Sequence, residues 1–161
     1  LKIEGRGRAA DYVATVIKTY REAIDSYYEG TFTKEKISVW MEALATVYNR
    51  GFWRGYYLGQ KLGEWSDNPG SNATQKKVYV GKGMHYFPKA SIAEFKIEAY
   101  DIKKGDKILI TGPSTGAQEL ILEDFFVNDL ASEKATKGDS CTLKVPFRIR
   151  LSDKMYKIVE N

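Results

Sequence analysis

The hydrophobic period of this chain changes once, and that change constrains its fold more than any single residue does. Up to about residue 50, apolar side chains recur every three to four positions; from residue 76 onward they alternate. The first half is therefore helical and the second is built of half-buried strands. Tyr12, Val13, Val16, Ile17, Tyr20, Ile24 and Tyr27 mark one face of a long helix. Asp11 suits the positive helix start, and Gly30 suits the left-handed position that ends a helix. A second helix follows. Thr33 is its N-cap, Phe32 and Ile37 are spaced as a hydrophobic staple, and Ile37, Trp40, Met41, Leu44, Val47 and Tyr48 form its stripe up to Gly51. The short polar connection predicts an antiparallel helical hairpin.

Periodicity is lost among Gly55, Gly59, Gly63, Asp67-Asn68-Pro69-Gly70 and Ser71-Asn72, which are turn and loop residues. Beyond them Ala93, Phe95, Ile97 and Ala99 share one strand face, as do Cys141, Leu143, Val145, Phe147 and Ile149 on a later strand. Pro146 has no N–H to give, so that strand should lie at an edge or bulge there. Further strands are expected over residues 77–80, 107–111, 119–126 and 155–159. Lys104-Gly105-Asp106-Lys107 and Lys137-Gly138-Asp139-Ser140 each precede an apolar strand, a recurring turn rather than a sequence repeat. The expected architecture is α+β: residues 1–63 as a strand end and helical hairpin, 64–75 as a linker, and 76–161 as a small closed or nearly closed antiparallel β-barrel.

Charge and cysteine usage narrow the chemistry. A formal charge of +4, spread over both halves, is compatible with an anionic partner but is no concentrated nucleic-acid stripe. The single cysteine, Cys141, and single histidine, His85, exclude an internal disulfide framework and a cysteine-rich zinc or iron–sulfur site from these residues, so no cofactor is expected here. One cysteine suits a reducing, cytoplasmic setting. No apolar run approaches the roughly 18 residues that a membrane helix needs, so no membrane partner is expected.

The opening Leu1-Lys2-Ile3-Glu4-Gly5-Arg6 reads as a strand running into a Gly turn, with a helix after it. With no initiator Met, it is expected to be the last unit of a larger body, and the chain a C-terminal fragment. Lys2-Ile3-Glu4-Gly5-Arg6, Tyr12-Val13-Ala14-Thr15-Val16 and Tyr20-Arg21-Glu22-Ala23-Ile24-Asp25 resemble the collagenase-like peptidases of peptidase family U32. So do Asn49-Arg50-Gly51-Phe52 and the following Gly55-Tyr56. The resemblance implies that the first run closes a TIM-type catalytic barrel lying upstream in the same chain. It also implies that the β half, with Tyr79-Val80-Gly81-Lys82 and Lys104-Gly105-Asp106, is similar to the second domain of translation elongation factors. Family members act as peptidases on collagen-like substrates; others resemble enzymes that hydroxylate a pyrimidine in transfer or ribosomal RNA, with an iron–sulfur cluster on upstream cysteines. The partners implied are thus the upstream barrel and either a protein substrate or RNA. One departure is Gly7-Arg8-Ala9-Ala10, where the family usually has Met-Lys-Ser-Pro. Loss of a Ser cap costs about 1 kcal/mol, so the first helical turn is expected to fray.

Several groups of residues invite a chemical role. Glu4 and Arg6 would lie at the C-terminal end of a barrel strand, where TIM-type enzymes keep their sites; Glu4 could hold or deprotonate a substrate group and Arg6 could bind a carboxylate or phosphate. The plainer readings are a structural Glu–Arg pair, two solvated side chains, or a protease site left by cloning. Arg50, Phe52, Trp53, Arg54 and Tyr56 interleave cations with rings, which would suit phosphates and bases. The favoured reading of that run is a helix cap followed by aromatics that dock the two halves. Cys141 lies on the apolar phase of its strand and reads as a buried, inert thiol rather than a partner of His85. Thr111-Gly112-Pro113-Ser114-Thr115-Gly116 lacks the Lys-Ser/Thr ending of a phosphate loop and reads as a hairpin turn. Glu123, Asp124 and Asp129 have no metal-ligand spacing.

Overall fold

A computed structural model of the chain describes residues 2–59 and 70–161. Gly63, Asp67, Asn68 and Pro69, and with them the first half of the expected linker, lie outside the described residues. Two helices, α1 (Ala10–Tyr28) and α2 (Lys34–Ala45), precede the strands β1 (Gln75–Phe87), β2 (Ile92–Ile97), β3 (Ile102–Lys103), β4 (Lys107–Gly112), β5 (Gly116–Ile121), β6 (Phe125–Val127), β7 (Leu130–Ser132), β8 (Lys134–Ala135), β9 (Ser140–Lys144) and β10 (Lys154–Glu160).

The helix ends follow from local chemistry. Gly30 takes φ +69° and so closes α1, where a side chain would be strained. Ala9 stands at the N-cap of α1 and supplies no side-chain bond, yet the helix begins at Ala10. At α2 the Thr33 hydroxyl accepts from the Lys36 N–H at 3.3 Å, as its N-cap position demands. The Phe32 ring meets Trp40, with centroids 5.4 Å apart. A polar knot fastens the hairpin: the Lys36 ammonium donates to the Ser26 and Thr31 hydroxyls at 3.1 and 2.7 Å. The stripe through Val47 and Tyr48 suggested a longer α2, but the helix ends at Ala45. Its last carbonyls are claimed elsewhere. Ala43 O accepts from the Thr46 hydroxyl at 2.7 Å, and Ala45 O accepts from the Thr74 N–H at 2.9 Å, just before β1.

Eight strands form one antiparallel sheet in the order β5-β4-β10-β1-β2-β9-β6-β7, and β3 pairs with β8 separately. The expected closed barrel is therefore corrected. The ladder ends at β5 and β7 and does not join its own edges. It still curls, because Ile108 and Ile110 near one end and Phe125 near the other share one core with Val80, Phe95, Ile97, Cys141, Leu143 and Met155. β1 is much longer than the stretch 77–80 foreseen. It runs on through Gly81 and Gly83, with register shifts between Tyr79 and Gly81 and between Gly83 and His85. A Cβ on Gly81 would stand 1.9 Å from the Lys96 carbonyl oxygen, so only glycine lets the backbones approach. The run 119–126 breaks into β5 and β6. The strand expected over residues 141–149 is shorter: β9 stops at Lys144, before Pro146.

The recurring Gly-Asp turn is a clasp, and the structure contains three of them. In the first, Asp106 Oδ2 accepts from the Lys103 N–H at 2.8 Å and Gly105 takes φ +87°. Gly105 N–H then donates to Leu122 O, and Leu122 N–H to Asp106 O, both at 2.8 Å. The second repeats this: Asp139 Oδ2 accepts from Thr136 N–H at 2.6 Å, Gly138 takes φ +100°, and Gly138 and Asp139 grip Ile97 at 2.9 and 3.0 Å. The third has no glycine. Asp153 Oδ2 accepts from Arg150 N–H at 2.8 Å, Ser152 takes φ +67°, and Ser152 and Asp153 grip Gly83 at 2.9 and 2.7 Å. The aspartates immediately precede β4, β9 and β10. Each clasp fixes where a strand starts and what it faces.

Helices and sheet meet through α1 against β5, through the Lys77–Asp11 ion pair, and through Asn72 N–H donating to Asn49 O at 2.8 Å. Among the described residues no helix is long and apolar enough to cross a membrane.

Candidate functional site

The opening stretch does not form a strand. Lys2, Ile3, Glu4 and Gly5 pair with no strand among the described residues, because a strand is stable only in a ladder. A turn forms instead: Arg8 N–H donates to Gly5 O at 3.0 Å and Gly7 takes φ +72°. Gly5 lies close against α1, where a Cβ would come within 3.2 Å of Val13. Glu4 Oε1 accepts from the Arg6 backbone N–H at 2.8 Å. Both side chains are exposed, and they form no ion pair with one another among the described residues. The structural Glu–Arg pair foreseen as a plain reading is thus replaced by a turn in which the carboxylate holds a backbone group.

After α2 the chain is shaped by Asn49, whose Oδ1 accepts from the Gly51 N–H at 3.1 Å while Gly51 takes φ +93°. This turn throws Arg50 back toward Tyr48, and Arg50 Nε donates to the Tyr48 hydroxyl at 2.9 Å. Arg8 approaches the same ring from its face, with its guanidinium carbon 3.7 Å from the ring centroid. The Arg50 hydrogen bond, assisted by Arg8 and opposed by burial, lowers the Tyr48 phenol below the usual tyrosine range. These groups line a groove of about 540 Å³ together with Lys2, Glu4, Tyr12, Tyr20 and Phe52.

The structure therefore divides the predicted residues. Glu4, Arg50 and Phe52 come together in the groove, and Arg6, Trp53, Arg54 and Tyr56 are not part of its walls. Trp53 and Tyr56 make an edge-to-face pair with centroids 4.8 Å apart. The reading in which this run docks the helices on the β half is corrected: Phe52, Trp53, Tyr56 and Tyr57 are 48, 41, 63 and 96% exposed. The halves are held instead by α1 against β5, by the Lys77–Asp11 ion pair and by backbone bonds at Thr74 and Asn72. Sequence reasoning missed Arg8 and Tyr48. Arg8 and Tyr12 are four apart at a helix start, which was a usable hint; the meeting with Tyr48 is tertiary and had none.

The expectations of a buried Cys141 and of a hairpin turn at Thr111 to Gly116 stand. Cys141 is fully buried on β9, and burial, with a smaller push from the Asp139 charge, raises its thiol to about 12. His85 is exposed on β1 with its ring against Phe87, 4.4 Å between centroids. The Thr111 to Gly116 stretch turns the β4–β5 hairpin, and Gly116 takes φ +73°. Asp124 is occupied by Lys104 at 2.6 Å. Among the described residues no group of three or more His, Cys, Asp or Glu side chains is placed to hold a metal ion.

Residues 1–67 match the model of peptidase family U32. A collagenase of Porphyromonas gingivalis is 51% identical over 156 residues, 97% of this chain and 38% of that protein. An uncharacterized protease of Methanocaldococcus jannaschii is 35% identical over 162 aligned residues, 99% of this chain and 39% of that protein. A tRNA hydroxylation protein of Bacillus subtilis is 30% identical over 115 residues, 70% of this chain and 26% of that protein. The chain spans about two fifths of the length of the first two relatives. With the opening motif and the Asn49-Arg50-Gly51-Phe52 run carrying the same resemblance, this chain belongs to peptidase family U32.

Proposed function

We propose that this chain is an accessory, substrate-positioning part of a collagenase-like peptidase of family U32, without a complete active site of its own. The helical hairpin docks on a catalytic barrel encoded upstream in the same chain, and the β half is held beyond it to orient a large protein substrate. One observation carries this reading. α1 and α2 keep apolar side chains in solvent, with Ile17, Tyr27, Tyr28 and Val39 at 50, 72, 82 and 62% exposure, while the β half closes its own core. A run of large apolar groups left open is the mark of a surface that meets another body. Two of the relatives are named as a collagenase and a protease, which supports the substrate class. The proposed location is the cytoplasm, in keeping with one buried, unpaired thiol. The test is proteolysis: the 161-residue chain leaves gelatin and a mixed peptide library intact, and a protein that also carries the upstream barrel cleaves them. Cleavage by the 161-residue chain alone refutes the accessory role.

A second reading rests on the exposure of the Arg–aromatic run. Arg50, Arg54 and the solvent-facing Phe52, Trp53 and Tyr56 make a surface of cations and rings suited to RNA, and one relative is named a tRNA hydroxylation protein. This reading predicts salt-dependent binding of transfer RNA that weakens in Arg50→Ala and Arg54→Ala. Absence of binding at low salt eliminates it.

A further inference from the structure

The groove beside the start of α1 holds two arginines that, among the described residues, no carboxylate pairs with. None of the ion pairs among the described residues includes Arg8 or Arg50. Both guanidinium groups rest on one phenol instead, Arg8 on its face at 3.7 Å and Arg50 on its hydroxyl at 2.9 Å. The carboxylate in the wall, Glu4, already has Oε1 on the Arg6 N–H at 2.8 Å. Lys2, Arg8 and Arg50 against Glu4 leave the walls with two net positive charges. Like charges held together repel, and an aromatic ring returns only about 0.5–1 kcal/mol to an exposed cation. Both guanidinium groups keep donors free to meet an entering anion.

The walls also specify what accompanies that anion. Tyr20 and Phe52 are 43 and 48% exposed and line the same groove as the two arginines. They offer faces for a flat or apolar group. The volume, about 540 Å³, falls within the ordinary range of small-ligand sites. Two guanidinium forks match a dianion better than a monoanion, because a carboxylate would leave one charge unbalanced.

We propose that this groove is a binding site for a phosphate monoester that carries a planar ring. Arg8 and Arg50 hold the phosphate oxygens, Tyr48 keeps the two forks in position, and Tyr20 and Phe52 flank the ring. The lowered Tyr48 phenol is in keeping with this cationic surrounding. The inference stands apart from the accessory role above, since it requires neither a protease body nor a protein substrate.

The experiment titrates the chain with phenyl phosphate, inorganic phosphate and benzoate, read by amide and aromatic NMR shifts. Phenyl phosphate is expected to bind about tenfold or more tighter than either fragment, with shifts confined to residues around Arg8, Tyr48 and Phe52. Arg8→Gln and Arg50→Gln each weaken it by about tenfold or more, the usual cost of one charge-assisted hydrogen bond. Arg50→Lys keeps the charge, loses the fork, leaves the fold intact because Arg50 is exposed, and should weaken binding as well. Arg148→Gln removes an exposed charge from the β half and leaves binding unchanged. The proposal is overturned if benzoate binds as tightly as phenyl phosphate, if Arg148→Gln weakens binding as much as Arg50→Gln, or if no saturable binding is seen.

Discussion

The two halves of this molecule use the same amphipathic patterning and reach opposite outcomes. The β half turns its apolar phase inward and completes a core, with Val80, Phe95, Ile97, Ile108, Ile110 and Met155 at or near zero exposure. The helical half has a stripe just as regular, yet among its described residues only Val16 and Trp40 of the large apolar side chains are buried. A hydrophobic pattern reports what an element is able to bury, not whether a partner is at hand. Stability is expected to reside in the sheet, and the hairpin to draw its order from caps, the polar knot around Lys36 and the bonds at Thr74.

The strongest test of that contrast is a pair of truncations. Phe95→Ala, at the centre of the β core, should cost about 3–5 kcal/mol in denaturant unfolding. Ile17→Ala, half exposed on α1, should change stability by no more than about 0.5 kcal/mol. Similar costs at both positions would break the comparison. A second measurement uses Cys141 as a reporter. Its buried thiol, raised to about 12, should stay unreactive toward a thiol reagent at neutral pH until the β half opens, so labelling follows global unfolding even when the helices are loosened.

The clasps come next in size. Gly138→Ala places a side chain at φ +100° and should destabilise by about 1 kcal/mol, as should Gly105→Ala at φ +87°. Acid should act on the same feature. Backbone and side-chain hydrogen bonds from Thr136 lower the Asp139 carboxyl, and a hydrogen bond from Lys82, with a second from Tyr79, lowers Glu98. The unfolded chain binds these protons first. The contribution is therefore fully present above the unfolded carboxylate range of about 4 and lost as pH falls through the lower folded values. Asp139→Asn should flatten the fall of the unfolding midpoint with acid. A small loss is expected at the joint: Lys77→Met breaks the ion pair with Asp11, and about 1 kcal/mol or less should be lost, seen as faster amide exchange in α1 with β-core exchange unchanged.

Much of this fold was legible in the residues because it is governed by local rules. The change of period, the Thr33 cap, the Gly30 stop and the inward phase of Cys141, Leu143, Val145 and Ile149 all reappear in the structure. What escaped depends on long-range contact. The first strand was expected to stop at residue 80, and the task of Gly81 and Gly83, admitting the backbones at Lys96 and Arg150, is visible only once those chains lie alongside. The third clasp was hidden because Ser152 occupies the position that glycine marks in the other two, although Asp153 precedes its strand just as Asp106 and Asp139 precede theirs. In the groove, Glu4, Arg50 and Phe52 stood out through residue type and a family likeness. Arg8 and Tyr48 did not, since only the folding of one helix end onto the other brings them together.

The three clasps have a consequence for how such a domain can vary. Each sets its strand's starting point from within four residues and takes hold of one distant residue, Leu122, Ile97 or Gly83. Alignment is thus decided at three separate anchor points instead of being passed along the ladder from one hairpin to the next. A loop lying between anchors can lengthen, shorten or exchange its sequence without shifting the strands on either side. The segment between Val127 and Leu130, where Asn128 and Asp129 both take positive φ, lies between two such anchors. It is a natural place for this scaffold to accept new sequence while the sheet keeps its frame.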